Sequence, residues 1–133
     1  TVSLNTKGFC DIIDITHHVV DVIKHSKIEN GLVTVFCPGS TGSVTTIEYE
    51  SGVLKDLQKA IEKIAPSDIP YEHDQRWGDG NGYSHVRASL LGASRVIPFS
   101  DKKLMLGTWQ QVILVDFDNR SRSREIILQI MGE

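Results

Sequence analysis

The stretch KLMLGTWQQVILVDFDNRSRSREIILQIM, residues 103–131, decides the fold. Residues 103–118 read as one long strand and 123–131 as another, joined through a polar hairpin tip at 119–122. Working outward, RVIPF (95–99), LVTVFC (32–37) and VTTIEYE (44–50) are further β-branched or aromatic strands, and VSLNTKGFCDII (2–13) is strand-like. Helices interrupt this pattern at few places. GVLKDLQKAIEKIA (52–65) carries apolar residues at 53, 54, 57, 60, 61 and 64, a single stripe, and Pro66 and Pro70 stop it. HHVVDVIKHSKI (17–28) is a short amphipathic helix with Thr16 as its N-cap and Asn30-Gly31 ending it. YSHVRASLLG (83–92) has helical composition with Gly92 as its stop, and residues 71–82 read as loop. Strands and helices do not alternate regularly, which excludes a doubly wound parallel sheet. The pattern predicts an α+β fold with a mostly antiparallel sheet and two or three short helices.

A chain of 133 residues, 40% hydrophobic and 23% charged, is the size of one globular domain, and no linker or repeat divides it. The net charge of −3 gives no basic field to recruit nucleic acid or an anionic membrane. No apolar run approaches the roughly 20 residues that span a bilayer. The first residues lack a signal-peptide pattern, so a cytoplasmic location is expected. Cys10 and Cys37 sit in apolar runs without basic neighbours and read as buried, inert thiols.

Two segments could carry chemistry. PGSTGS (38–43) offers backbone N–H groups and the hydroxyls of Ser40, Thr41 and Ser43 to an anion, although it lacks the Lys-Ser/Thr pair of a Walker loop. It also suits an ordinary strand connection. Between residues 72 and 85 stand Glu72, His73, Asp74, Asp79, Asn81 and His85, interrupted by Gly78, Gly80 and Gly82. Imidazole and carboxylate groups so grouped can hold a divalent metal or transfer protons near neutral pH. They equally suit a solvated acidic loop in which Asp79 or Asn81 caps the following helix. Asp79-x-Asn81 opens like a calcium loop, but the twelfth position is Leu90, which excludes that type of site. In the strands, Thr108 and Gln110 would share one face opposite Trp109, and Arg120, Arg122 and Arg124 would share a face that could clamp phosphate.

Taken together, HDQRWGDGNGYSHVRASLLGASRVIPF (73–99), LGTWQ (106–110) and IILQIMGE (126–133), with the earlier DIT (14–16 region), GLVTVF and TTIEYE segments, resemble the YjbQ-like proteins. The resemblance implies a compact α+β domain with a bent sheet or sandwich, assembled as a homotrimer with a polar cleft near a subunit boundary. It also implies a weak ability to make thiamine phosphate from a pyrimidine diphosphate and a thiazole phosphate, with loss of pyrophosphate. The matched positions are Glu48, His73, Asp74, Asn81, His85, Ser94, Thr108, Trp109 and Gln110. Many members carry a histidine before two hydroxyl residues where this chain has Gly39-Ser40-Thr41, and histidine or alanine where it has Tyr83.

These readings combine into an expected enzyme acting on a small phosphorylated metabolite. His85 would be the acid or base, oriented by Glu48 or Asp74. Ser40, Thr41, Asn81, Thr108, Gln110 and Arg122 would bind the ligand. The glycines of 78–82 would leave backbone N–H groups uncovered, with Asn81 and His85 facing each other. A divalent ion, Mg²⁺ or Zn²⁺, would sit on His73, Asp74 and His85. The alternatives are a non-catalytic trimer that binds a metal or metabolite, and a metal-dependent hydrolase.

Overall fold

The apolar run VILV is continuous because the strand carrying it is buried on both faces. The computed structural model describes residues 1–133. Its strands are β1 (Val2–Thr6), β2 (Asp11–Asp14), β3 (Gly31–Phe36), β4 (Gly42–Ile47), β5 (Ser94–Ser100), β6 (Lys103–Leu104), β7 (Gln111–Asp116) and β8 (Arg122–Gly132). Its helices are α1 (Thr16–His25), α2 (Ser51–Ile64), α3 (Glu72–Trp77) and α4 (Gly82–Leu91). Two antiparallel sheets form, one ordered β1-β8-β3-β5-β6 and the other β2-β7-β4. From β7, Val112 and Leu114 join Val33, Val35, Ile97, Phe99, Ile15 and the α1 residues Val19 and Ile23 in the core between the sheets. The alternate residues Ile113, Val115 and Phe117 face the other way, onto Ile61 of α2 and Ala88 of α4. The fold is therefore α+β, as the sequence predicts, with layers of sheet, sheet and helices.

Three local expectations are corrected. First, 103–118 is not one strand, and no hairpin follows it. Residues 105–110 leave the ladder, closed by the Gln110 side chain accepting from the Gly107 N–H at 3.0 Å, and β7 and β8 lie in different sheets. Second, 2–13 breaks into β1 and β2, one in each sheet. Gly8, Phe9 and Cys10 all have positive φ (76°, 55° and 63°), and the Phe9 N–H donates to the Asp118 carbonyl at 2.7 Å. A Cβ on Gly8 would stand 2.6 Å from the carbonyl oxygens of both Asp118 and Arg120, so the two inter-sheet crossings pack backbone to backbone. Third, α1 ends at His25, before Asn30, and Thr16 is its first helical residue rather than its cap. Asp14 accepts from both the N–H and the hydroxyl of Thr16.

α2 starts where Glu50 turns its carboxylate onto the N–H groups of Gly52 and Val53, and those bonds hold its carboxyl below the usual range. α3 lies inside the stretch read as loop, so the helices number four rather than two or three; its six residues bury nothing and leave no periodic signal. No helix is long and apolar enough to cross a membrane. The outward face of the five-stranded sheet stays bare, with Leu32, Phe36, Val96, Ile127 and Met131 between 38% and 67% exposed.

Candidate functional site

The crossing after β7 ends the apolar strand in two carboxylates, and β8 opens with two guanidiniums. The four groups meet. Arg124 Nε and Nη2 each donate to Asp116 at 2.9 Å, and Nη2 also donates to the Thr41 hydroxyl at 2.6 Å. The Thr41 hydroxyl in turn donates to Asp118 Oδ2 at 2.9 Å, and Arg122 Nε donates to the same oxygen at 3.0 Å. Asp116 further accepts from the Thr6 hydroxyl and the Asp118 N–H. Both carboxylates are fully buried. Burial would push the Asp118 carboxyl up, but the bonds from Thr41 and Arg122 outweigh it and hold the group below the ordinary Asp value. Burial likewise works against the Arg124 charge, and Asp116 more than offsets it.

Above this network opens a cavity of about 380 Å³ with no hydrophobic lining residue. It is lined by Gly39, Ser40 and Thr41 of the β3–β4 connection, by Asp79, Asn81 and His85 of the glycine-rich entry and α4, and by Asp118, Arg122, Ser123 and Arg124 of the β7–β8 crossing. The N–H groups of Gly39, Ser40 and Thr41 have no internal acceptor. Both Nη groups of Arg122 and the Nη1 of Arg124 are also uncommitted. The Thr41 hydroxyl, by contrast, is fully used inside the network. Asn81 is mostly structural too: its side-chain oxygen accepts from Ser84 Oγ and the Asn119 N–H. Its amide lies beside Asp118 without reaching hydrogen-bonding geometry with Oδ1, which has no partner.

The glycine-rich entry is more committed than its composition suggests. Gly78 and Gly80 take φ of 67° and 65°, and a Cβ on Gly82 would stand 2.6 Å from Tyr71 Cβ. Three of the five N–H groups are taken: Gly78 donates to the Asp74 carbonyl at 2.7 Å, Asn81 to Asp79 Oδ1 at 3.2 Å, and Gly82 to Asp74 Oδ1 at 2.8 Å, while those of Asp79 and Gly80 have no acceptor in the chain. This folds α3 back on α4 and brings the His73 and His85 rings to 4.6 Å between centroids. His73 Nδ1 lies 3.3 Å from Asp79 and 3.6 Å from Asp74, is shut off from solvent, and completes no hydrogen bond. The ligating atoms of His73, Asp74 and Asp79 lie within 4.8 Å of one another. Asp79, not His85, is thus the third member of the group that could hold a cation.

Of the expected site residues, Ser40, Thr41, Asn81, His85 and Arg122 converge on one cavity, with His73 and Asp74 behind its rim. Glu48, Thr108 and Gln110 do not. Gln110 donates to Thr46 near the far end of β4 and borders a different cavity of about 310 Å³ beside α1 and β6. Glu48 is exposed just beyond that strand end. At about 3.3 Å per strand residue, the length of β4 puts these groups roughly 20 Å from the cleft. Glu48 therefore cannot orient His85 within one chain. Trp109 is exposed at that end as well, and Ser94 lies on the bare sheet face opposite Phe36. The residues that sequence reading missed are Asp116 and Asp118, the buried partners of Arg124 and Arg122; of the three arginines expected on one face, Arg122 and Arg124 line the cavity and Arg120 does not. The signal of the two carboxylates was two charges two apart at the end of VILV, answered by two charges two apart opening the next strand.

The family model described as UPF0047 protein YjbQ-like matches residues 1–133. The chain belongs to this family. A UPF0047 protein of Archaeoglobus fulgidus is 36% identical over 129 residues, covering 97% of this chain and 98% of its own. The UPF0047 protein YugU of Bacillus subtilis is 30% identical over 134 residues, covering 99% and 98%. The crystal structure of a YbjQ-like protein of unknown function from Sulfolobus solfataricus P2 superposes with a TM-score of 0.91 at 30% identity, covering 99% of this chain and 96% of that one. A UPF0047 chain of this length thus carries the two-sheet fold throughout.

Proposed function

We propose that the cleft binds the phosphate group of a small molecule and that His85 gives or takes a proton there. The observation that carries this reading is the set of unspent donors on one polar cavity. They are the N–H groups of Gly39, Ser40 and Thr41, the Ser40 hydroxyl, both Nη of Arg122 and Nη1 of Arg124. Donors fixed before a charged group arrives need no reorganisation to meet it, which is how such sites stabilise developing negative charge. Gly39 matters for approach: it takes φ of 113° and leaves the backbone bare beside Arg124. His85 lines the same cavity from the start of α4, where it can meet an atom next to the phosphate. The weak thiamine-phosphate synthesis implied by the resemblance to YjbQ-like proteins is one reaction this arrangement would serve, since its leaving group is pyrophosphate.

A second reading, metal-assisted chemistry, is favoured by the unpartnered His73 Nδ1 between Asp74 and Asp79. One imidazole and two carboxylates suit Mg²⁺ or Zn²⁺, and such an ion would neutralise charge at the rim that Asp79 shares with the cleft. The homotrimer belongs to the same proposal. Its interface would use the bare apolar sheet face, and Glu48, Thr108 and Gln110 could then serve only a neighbouring copy's cleft.

Isothermal titration calorimetry with inorganic phosphate and pyrophosphate, with and without Mg²⁺, tests the reading. Pyrophosphate should bind the native protein and lose at least about tenfold in affinity in Arg122→Ala, because a charge-assisted pair is removed. His85→Ala should keep binding and lose thiamine-phosphate formation. Unchanged pyrophosphate affinity in Arg122→Ala refutes the site.

A further inference from the structure

We propose that the cavity of about 310 Å³ beside α1 and β6 is a second ligand site, separate from the phosphate cleft, that takes a small aliphatic carboxylate. Thr16, Val20 and Lys24 stand four residues apart and border it as one stripe of α1. The core uses a different stripe of that helix, Val19 and Ile23. Lys102, Lys103 and Leu104 border the cavity from the β5–β6 turn and β6, and Leu106 and Gln111 from the 105–110 excursion and the start of β7.

These borders are held by bonds that leave part of the lining unspent. The turn takes φ of 51° at Asp101 and 63° at Lys102, a region that residues with side chains rarely adopt. Such backbone persists where its surroundings over-determine it. Here the Asp101 N–H donates to Asn30 Oδ1 at 3.0 Å and the Lys102 N–H to the Glu29 carbonyl at 2.9 Å. The Lys102 ammonium then donates to the Ser26 carbonyl just past the end of α1. The excursion is tied down by the Met105 N–H on the Pro98 carbonyl at 2.9 Å and by Gln110 Nε2 on Thr46 at 3.0 Å. By contrast, the side chains of Lys24, Lys103 and Gln111 make no hydrogen bond or ion pair within the chain.

Three lysines and no acidic residue line the cavity, a local positive field in a chain of net charge −3. Val20, Leu104 and Leu106 add an apolar strip, two of whose members rest on the main core. An anion with an aliphatic body meets both features. Its head would take the Lys24 and Lys103 ammoniums and the Gln111 amide, and its body would lie on the strip. What the cavity lacks selects carboxylate over phosphate. No arginine lines it, and the N–H groups of Gly107 and Gln110 are already used inside the turn. The cleft offers guanidiniums and open N–H groups, the fittings that suit phosphate.

Isothermal titration calorimetry on the full chain with hexanoate, acetate and hexylammonium tests the assignment. Hexanoate should bind at least about tenfold more tightly than acetate, because its extra methylenes leave water at the apolar strip. Hexylammonium, with the same body and the opposite charge, should show no saturable binding. Lys103→Glu should weaken hexanoate at least about tenfold, and Lys24→Glu, on a different element, should do the same. Both lysines are exposed, so both variants should fold. Saturating pyrophosphate should leave the hexanoate affinity unchanged. No saturable binding of hexanoate, equal binding of hexylammonium, or native affinity in both lysine variants would overturn the inference. Displacement of hexanoate by pyrophosphate would overturn it as well, by putting the two in one site. A chain that takes hexanoate here and ignores pyrophosphate would refute the phosphate reading alone.

Discussion

Replacing Arg124 with methionine should cost more stability than any substitution on the cleft rim. The guanidinium makes two contacts with Asp116 and one with Thr41, all between buried groups. Removing one member of such a pair strands the other charge in the interior, which costs about 3–5 kcal/mol. Asp116 would keep its bonds from the Thr6 hydroxyl and the Asp118 N–H, so the loss belongs at the lower end, about 3 kcal/mol. At about 2.1 cal/mol/K of unfolding entropy per residue, 133 residues give roughly 0.28 kcal/mol/K, and the melting temperature should fall by about 11 °C. Calorimetry at one fixed protein concentration measures this, with Arg120→Met, an exposed neighbour outside the network, as the control that should shift by less than about 2 °C. Adding Asp116→Asn to Arg124→Met should recover part of the loss. A fall of less than about 4 °C in the single variant, or no recovery in the double, would refute the claim that this network holds the cleft floor together. The acid limb gives an independent check. Asp118 titrates below its ordinary value when folded, so its contribution is complete above pH ~4 and is lost as pH falls through that lower value.

Two further outcomes are expected. Burial pushes the Cys10 thiol up to about 11 and raises that of Cys37, so neither should react with iodoacetamide at pH 8 until the chain is unfolded; mass spectrometry of the native protein showing prompt alkylation would contradict the packing. Light scattering should give a trimer mass for the native chain and a monomer for Val96→Glu, which places like charges on the bare sheet face; a monomeric native chain, or a variant still trimeric, would remove the proposed interface.

The fold class could be read from the sequence because β-branched runs and one clear helical stripe are local signals. Strand partnership could not. Residues 119–122 look like a hairpin tip, yet the chain changes sheets there, because β7 must be covered on both faces and β8 must pair with β1 and β3. The same long-range logic hid the cleft floor: Thr6 and Asp116 stand 110 residues apart, and neither announces the other. The neighbourhood of His73, Asp74, Asn81 and His85 was legible because a single turn of glycines holds it, a local matter. Thr108 and Gln110 were misplaced for a related reason. Alternation along a strand was applied to a stretch that Gln110 closes into a turn with Gly107.

The position of β8 has a consequence for how the chain comes to be made. It follows every other strand in order, yet it is the sole partner of β1 and a partner of β3. At about 5–20 residues per second, roughly 120 residues of synthesis separate the first strand from its mate, a wait on the order of ten seconds. Through that interval β1 has no ladder to join and β3 has one open edge, so the nascent chain is a natural client for chaperones. The cleft cannot form early either, because Arg122 and Arg124 arrive with β8. An interrupted product would have no site for a ligand to rescue, and ligand binding would report a completed chain.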